Sequence, residues 1–263
     1  MSAEDLKVAV CQSDIVWEDA ASTIARIEAP VAGFCKRFSP DILVLPETFS
    51  VGFSMNPEVS EQPDGISASW LRRMARETGA AFIASVPTYA EDGLRRNRCY
   101  FITPSGEEFT YDKRHLFNPS GEGRTYVPGT GRTTVSYKGW NIELNVCYDL
   151  RFPVWSRGSD NRYDLLVNIA NWPDVRIEAA KTLIKARAIE NCAYALFCNR
   201  IGSDPLCNYN GQSAVVDYFG GIISKVENFE GVDFHCAELS AEGLAHYRQK
   251  FPAWKDADQF AIL

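Results

Sequence analysis

The order of elements along the chain predicts an α+β fold built on mixed β-sheets. Apolar runs of strand length alternate with segments of helical spacing, a pattern that on its own describes parallel strands joined by helical crossovers. Hairpins interrupt that alternation, so antiparallel strands must share the sheets with parallel ones. With 263 residues and 46% apolar side chains, the chain can bury one substantial core. No linker, internal repeat or low-complexity tract divides it, so a single domain over residues 1–263 is expected.

Taken in order, "LKVAVCQ" is a short buried strand, and Glu18 to Phe38 has apolar residues at helical spacing, with Pro30 expected to kink or break the helix. "DILVLPE" is a second strand, and Ile66 to Thr78 a second helix. "AAFIASVP" follows as a strand, and "RCYFITPSGEEFTYDK" reads as two strands joined by a Ser105-Gly106 turn. The loop from Arg114 to Arg132, with four glycines and two prolines, is more irregular chain than a compact domain carries without a use for it. It is expected to wall the site. "TTVSY" and "WNIELNVC" then pair across Lys138-Gly139, before the strand "DLLVNIAN", a helix from Ile177 to Asn191 and the strand "YALFCN". In the last third, "SAVVDYFGGIISKV" and "VDFHCAEL" are read as two strand regions with hairpin glycines at Gly220-Gly221, and a short helix starts at Ala241.

Composition removes several classes of function. A net charge of −7, with no long cluster of lysine and arginine, is unsuited to nucleic-acid phosphates. The stretch "MSAEDLKVAVCQ" has acids where a signal peptide has bases, and its apolar run is too short for a membrane span. A cytoplasmic protein with no membrane or nucleic-acid partner is expected. The eight cysteines are scattered, most of them within apolar segments, and all but Cys147 read as reduced core thiols. There is no CxxC pair, and the three histidines have no ligand spacing, so neither metal nor cofactor is expected.

Chemistry collects where strands end. "ILVLPE" delivers Glu47, "EFTYDK" delivers Lys113 and "IELNVC" delivers Cys147, and strand ends of α/β sheets are where rigid backbone can bring such groups together. Singly, each has an ordinary structural role: Cys147 as core packing, Glu47 as a loop carboxylate, Lys113 as a hairpin cap. Together they supply a thiol to attack, a carboxylate to take its proton and an ammonium to stabilise the charge that forms.

The motifs "LVLPETF", "YDKRHLF", "NVCYDLRFP" and "ANWP" followed by "ARAIEN" resemble, in order and over nearly the whole chain, the carbon–nitrogen hydrolases of the nitrilase superfamily. That resemblance implies an αββα four-layer sandwich, a Glu47-Lys113-Cys147 triad and at least a homodimer. A second family glutamate precedes a glycine by seven residues; here that is Glu122 before Gly129, and its implied role is to orient Lys113. "CYDLRFPVW" and "FPAWKDADQF" resemble most the bacterial ω-amidase branch, which hydrolyses the terminal amide of 2-oxoglutaramate or 2-oxosuccinamate. One departure stands out: Ala179 and Ala180 occupy the place of a His-Trp pair between "ANWP" and "ARAIEN".

A free thiol near pH 7 is only a few per cent thiolate, so Cys147 needs either a pKa lowered by Lys113 or proton transfer to Glu47. Lys113 and the backbone N–H of Tyr148 are the expected donors to a tetrahedral oxyanion. Arg151 is the sharpest clue to substrate, because a guanidinium there can pair with a carboxylate; its alternative is an ion pair with Asp149 or another local acid. Tyr148 and Trp172 are expected to line the apolar part of the pocket. The expected partner is therefore a small amide. A carbamoyl-amino-acid hydrolase or another amidase of the superfamily is the main alternative, ahead of a Cys-His hydrolase using His115 and of a non-catalytic interaction module.

Overall fold

The computed structural model describes residues 3–158, 161–258 and 260. Met1, Ser2 and Gln259, from the terminal stretches quoted above, lie outside them. The strands, numbered in chain order, are β1 (Leu6–Gln12), β2 (Ile42–Val44), β3 (Ala81–Tyr89), β4 (Arg95–Ile102), β5 (Glu108–Asp112), β6 (Thr134–Tyr137) and β7 (Trp140–Val146). They continue as β8 (Leu165–Ala170), β9 (Tyr194–Asn199), β10 (Ile201–Ser203), β11 (Asn208–Asn210), β12 (Ala214–Val216), β13 (Lys225–Phe229) and β14 (Val232–Leu239). The helices are α1 (Ala20–Phe38), α2 (Ile66–Thr78), α3 (Pro153–Ser156), α4 (Ile177–Glu190) and α5 (Ala241–Lys250).

Two mixed sheets form. One has seven strands in the order β13-β14-β1-β2-β3-β4-β5, the other five in the order β12-β9-β8-β7-β6. In each the centre is parallel (β1, β2 and β3; β7, β8 and β9) and the edges antiparallel. Alternate residues of every central strand serve different layers, as a period of two requires. Val8, Val10, Val44 and Ile83 of the first sheet pack with Leu144, Val146, Val167 and Ile169 of the second. The intervening Ala9, Leu43, Phe82 and Ala84 face Val31, Phe34, Trp70 and Met74 of α1 and α2. On the far side, Leu166, Ala195 and Phe197 face Ile177, Ile184 and Ala188 of α4. The layers are thus helix, sheet, sheet, helix, the predicted αββα sandwich. Strands buried on both faces explain why they read as continuous apolar runs rather than alternating ones.

Most predicted elements lie where the sequence puts them. The Lys138-Gly139 turn has φ of +50° and +81°, the pair of left-handed residues that a tight hairpin with right-twisted strands demands. Pro30, however, neither ends nor divides α1, which runs unbroken to a left-handed Ser39. Proline removes one N–H bond, and here its ring is buried on the same helix face as Ile27, Val31 and Phe34, whose packing outweighs the loss. The stretch "SAVVDYFGGIISKV" also differs from expectation, since it is split between the sheets: β12 joins the five-stranded one and β13 the seven-stranded one. Asp217 Oδ1 accepts from the N–H groups of Phe219 and Gly221, and the short antiparallel pairing about this turn ends at the Ile223 N–H, which donates to the Val215 carbonyl at 2.9 Å. The hairpin of β10 and β11, which stands apart from both large sheets and is bridged from Ile201 to Asp14, has no apolar alternation to announce it.

Candidate active site

The three strand-end residues meet. Cys147 follows β7 directly, Lys113 follows β5 directly, and Glu47 lies three residues beyond β2. The polypeptide turns sharply at Cys147, which has φ of +47° and opens a 3-10 turn over Cys147–Arg151. A side chain larger than glycine rarely adopts that conformation, and holding it there costs about 1–3 kcal/mol. The cost is met by bonds around the turn: Val146 N–H donates to Asp149 Oδ2 at 3.0 Å and Asn168 Nδ2 to the Cys147 carbonyl at 3.4 Å.

Glu47, Lys113 and Glu122 form a cluster with no side-chain exposure. Lys113 Nζ donates to Glu47 Oε1 at 2.8 Å and lies 3.0 Å from both oxygens of Glu122. Burial alone would drive the Lys113 ammonium toward neutrality, but Glu122, Glu47 and Cys147 outweigh it and hold its pKa above the usual lysine value. Glu122 is raised, first by burial and then by Glu47, against the opposing attraction of Lys113. The glycine seven residues after Glu122 has a steric reason: a Cβ on Gly129 would lie 2.2 Å from the Asp112 carbonyl oxygen. Gly129 N–H donates to the Lys113 carbonyl at 3.0 Å, so the loop carrying Glu122 is fastened to the backbone of the lysine it touches.

Asn97 Nδ2 donates to Glu47 Oε1 at 2.8 Å, and Asn171 N–H to Glu47 Oε2 at 2.9 Å. These fix the carboxylate near the Cys147 thiol, which feels its charge and lies 4.0 Å from the Asn171 carbonyl oxygen. The thiol pKa is pushed well up, chiefly by burial and next by Glu47, with Lys113 opposing. A raised thiol pKa favours proton transfer over a thiolate at rest as the route to a nucleophile. Sequence reasoning missed Asn97, which sits among the arginines of β4, and gave Asn171 of the "ANWP" motif no role of its own; their partner lies 50 or 124 residues away.

Asp149 was expected only as a possible partner of Arg151. Instead it accepts from Tyr111 OH at 2.7 Å and from His115 N and Nδ1 at 2.9 and 2.8 Å. With its bond to Val146, this one buried carboxylate ties the residues flanking Lys113 to the residue before Cys147. His115 stacks on Phe152, with ring centroids 3.8 Å apart, and does not line the cavity above Cys147. It is occupied structurally.

That cavity, of about 590 Å³, is lined by Cys147, Tyr148, Arg151 and Trp172 together with Phe117, Pro119 and Ser120 of the predicted wall loop. Trp17, Phe53, Met55 and Leu206 complete it from segments that no sequence motif connects. The Arg151 guanidinium lies 5.0 Å from the centre of the Trp172 ring. Ala180 is buried among the α4 residues that cover the second sheet, and neither it nor Ala179 lines the cavity, so that departure from the family pattern affects packing. All eight cysteines are free thiols. The described residues contain no group of side chains able to hold a metal ion.

Residues 7–249 match the family model of carbon-nitrogen hydrolases. The omega-amidase YafV of Yersinia enterocolitica is 40% identical over 259 residues, which cover 98% of this chain and 99% of that protein. The 2-oxoglutaramate amidase of Bacillus subtilis is 29% identical across 95% of this chain and 96% of its own. Among solved structures, XC1258 of Xanthomonas campestris, a CN-hydrolase superfamily protein with an arsenic adduct in its active site, superposes with a TM-score of 0.92. It is 38% identical and covers 99% of this chain and 100% of its own.

Proposed function

The chain belongs to the carbon-nitrogen hydrolase family, and we propose that it is an ω-amidase, hydrolysing short 2-oxo dicarboxylic acid monoamides such as 2-oxoglutaramate and 2-oxosuccinamate to the acid and ammonia. The observation that carries the reaction type is the buried Glu47-Lys113-Glu122 cluster beside the Cys147 thiol, which itself lines the cavity. The similarity to the omega-amidase and the 2-oxoglutaramate amidase supports the substrate class.

In the proposed mechanism Glu47 takes the proton of Cys147 as its sulfur attacks the amide carbonyl. The oxyanion that forms is met by the backbone N–H of Tyr148 and by a proton of Lys113; of the ammonium's three donors, one serves Glu47 and one is shared by the two Glu122 oxygens. Glu47 returns the proton to the leaving nitrogen, the C–N bond breaks, and ammonia departs from a Cys147 thioester. A water, deprotonated by Glu47, then attacks the thioester, and the acid leaves as the thiol takes the proton back. Glu122 holds Lys113 in place. No histidine takes part.

Arg151 is proposed to pair with the substrate carboxylate, while Tyr148 and Trp172 enclose the short carbon chain. Among the described residues no helix is long and apolar enough to cross a membrane. Cytoplasmic residence and a homodimer belong to the same proposal, and sedimentation at micromolar protein tests the second: a monomer contradicts it. An ammonia-release screen over short ω-amides, with and without a 2-oxo acid end, tests the function. The 2-oxo ω-amide acids should have the highest kcat/KM; a preference for uncharged amides or carbamoyl amino acids would overturn the assignment.

A further inference from the structure

Four charged side chains line the cavity: Glu18, Arg151, Arg176 and Asp204. The two acids are already bonded. Glu18 accepts from Ser54 Oγ and Asn56 Nδ2 at 2.5 and 3.1 Å, one on each oxygen. Asp204 accepts the N–H groups of Leu206 and Cys207 on one oxygen, at 2.8 and 2.7 Å, and Tyr209 OH on the other at 2.6 Å. The arginines are different. Among the described residues neither guanidinium donates a hydrogen bond or pairs with a carboxylate; each instead lies over an aromatic ring, Arg151 over Trp172 at 5.0 Å and Arg176 over Phe117 at 5.3 Å.

Stacking occupies the face of a guanidinium and leaves its in-plane N–H groups free. Both cations line the same cavity, and Trp172, which carries Arg151 on its face, donates its indole N–H to the Arg176 backbone carbonyl at 2.9 Å. Arg151 is half-buried and Arg176 exposed, so Arg176 stands nearer solvent. A cavity with bonded acids and unbonded bases presents its cations to whatever enters it.

We propose that Arg176 is a second substrate-reading cation, which together with Arg151 makes the cavity accept a 2-oxo acid and reject the matching 2-amino acid. This rests on the ω-amide reading above. A 2-oxo acid end has three oxygens in a row, two on the carboxylate and one on the ketone, and all are acceptors. A 2-amino acid replaces the ketone oxygen with an ammonium, which accepts no hydrogen bond and is repelled by a guanidinium. Selection against glutamine, which carries the same ω-amide, is therefore built from repulsion as well as attraction.

The test measures kcat and KM on 2-oxoglutaramate, glutamine and uncharged propionamide for the wild type, Arg176→Gln and Arg176→Lys. In Arg176→Gln the ratio of kcat/KM for 2-oxoglutaramate to that for glutamine should fall about tenfold, as should its ratio to propionamide, with the loss carried by KM. Arg176→Lys, which keeps the charge, should keep most of the discrimination. Equal losses on all three substrates, or unchanged ratios, would overturn the proposal while leaving the ω-amidase function standing. A wild type that hydrolyses propionamide as well as 2-oxoglutaramate defeats that function, and this inference with it.

Discussion

Lys113 Nζ sits 2.8 Å from Glu47 Oε1 with neither side chain reaching solvent, and Glu122 closes the other side of the same ammonium at 3.0 Å. Removing the cation while leaving both acids strands two carboxylates in a dry site. Lys113→Met should therefore lose turnover by roughly 10²–10⁴-fold and also lose stability, by about 3–5 kcal/mol unless one acid takes up a proton. Glu47→Gln, which keeps the shape, should show a comparable loss of kcat. Steady-state kinetics and thermal melts separate the two effects, and a Glu47→Gln loss under about tenfold would rule out a general base there.

The pH profile carries a sign that distinguishes the two ways of activating Cys147. Catalysis needs Glu47 ionised and the thiol protonated. Because burial and Glu47 push the thiol up, kcat/KM should stay flat through pH ~8.5, where an ordinary cysteine titrates, and fall only on the acid side as Glu122 gains a proton. Burial raises Glu122, so the acid limb should lie above the ~4.3 of a free glutamate. A rate that climbs with an apparent pKa near 8.5 or below would mean that thiolate at rest is the reactive species.

The "ARAIEN" motif has a structural explanation that can be measured. Arg187, 3% exposed, donates to the Leu150 carbonyl at 2.7 Å and to Glu190 at 3.0 Å, and so ties α4 to the turn that begins at Cys147. Arg187→Met should cost about 1–3 kcal/mol by leaving that carbonyl unpaired, which in a chain of this size lowers Tm by roughly 2–10 °C. An unchanged melting temperature would show that the tie contributes nothing.

Arg151→Lys keeps a charge but loses the planar fork. KM for 2-oxoglutaramate should rise more than about tenfold relative to KM for propionamide. Parallel losses on both would assign Arg151 to holding Trp172 and the cavity wall rather than to the substrate.

Glu47, Lys113 and Cys147 were legible because each follows a strand closely, and a strand ending in an ionisable group is a local signal. Glu122 needed the family spacing, and its reason, the contact of Gly129 with Asp112, exists only in three dimensions. Asn97 had no signal of its own among the arginines of β4, and Asn171 and Asp149, though inside the "ANWP" and "NVCYDLRFP" motifs, take their roles from partners 124 and 38 residues away. The split of the "SAVVDYFGGIISKV" stretch follows from the partners each half finds, β9 for β12 and β14 for β13, and the survival of α1 past Pro30 from packing against the sheet. Both are cases of tertiary context overriding a local rule.

The most direct test of the proposed chemistry is a rapid-quench mass measurement with 2-oxoglutaramate. Wild-type protein should carry an acyl group, the substrate less ammonia, on the peptide containing Cys147, and the adduct should vanish as the acid accumulates. Cys147→Ala, which fills most of the thiol's volume, should fold, form no adduct and release no ammonia. Ammonia release by Cys147→Ala, or an acyl group found on another residue, would contradict a thioester at Cys147.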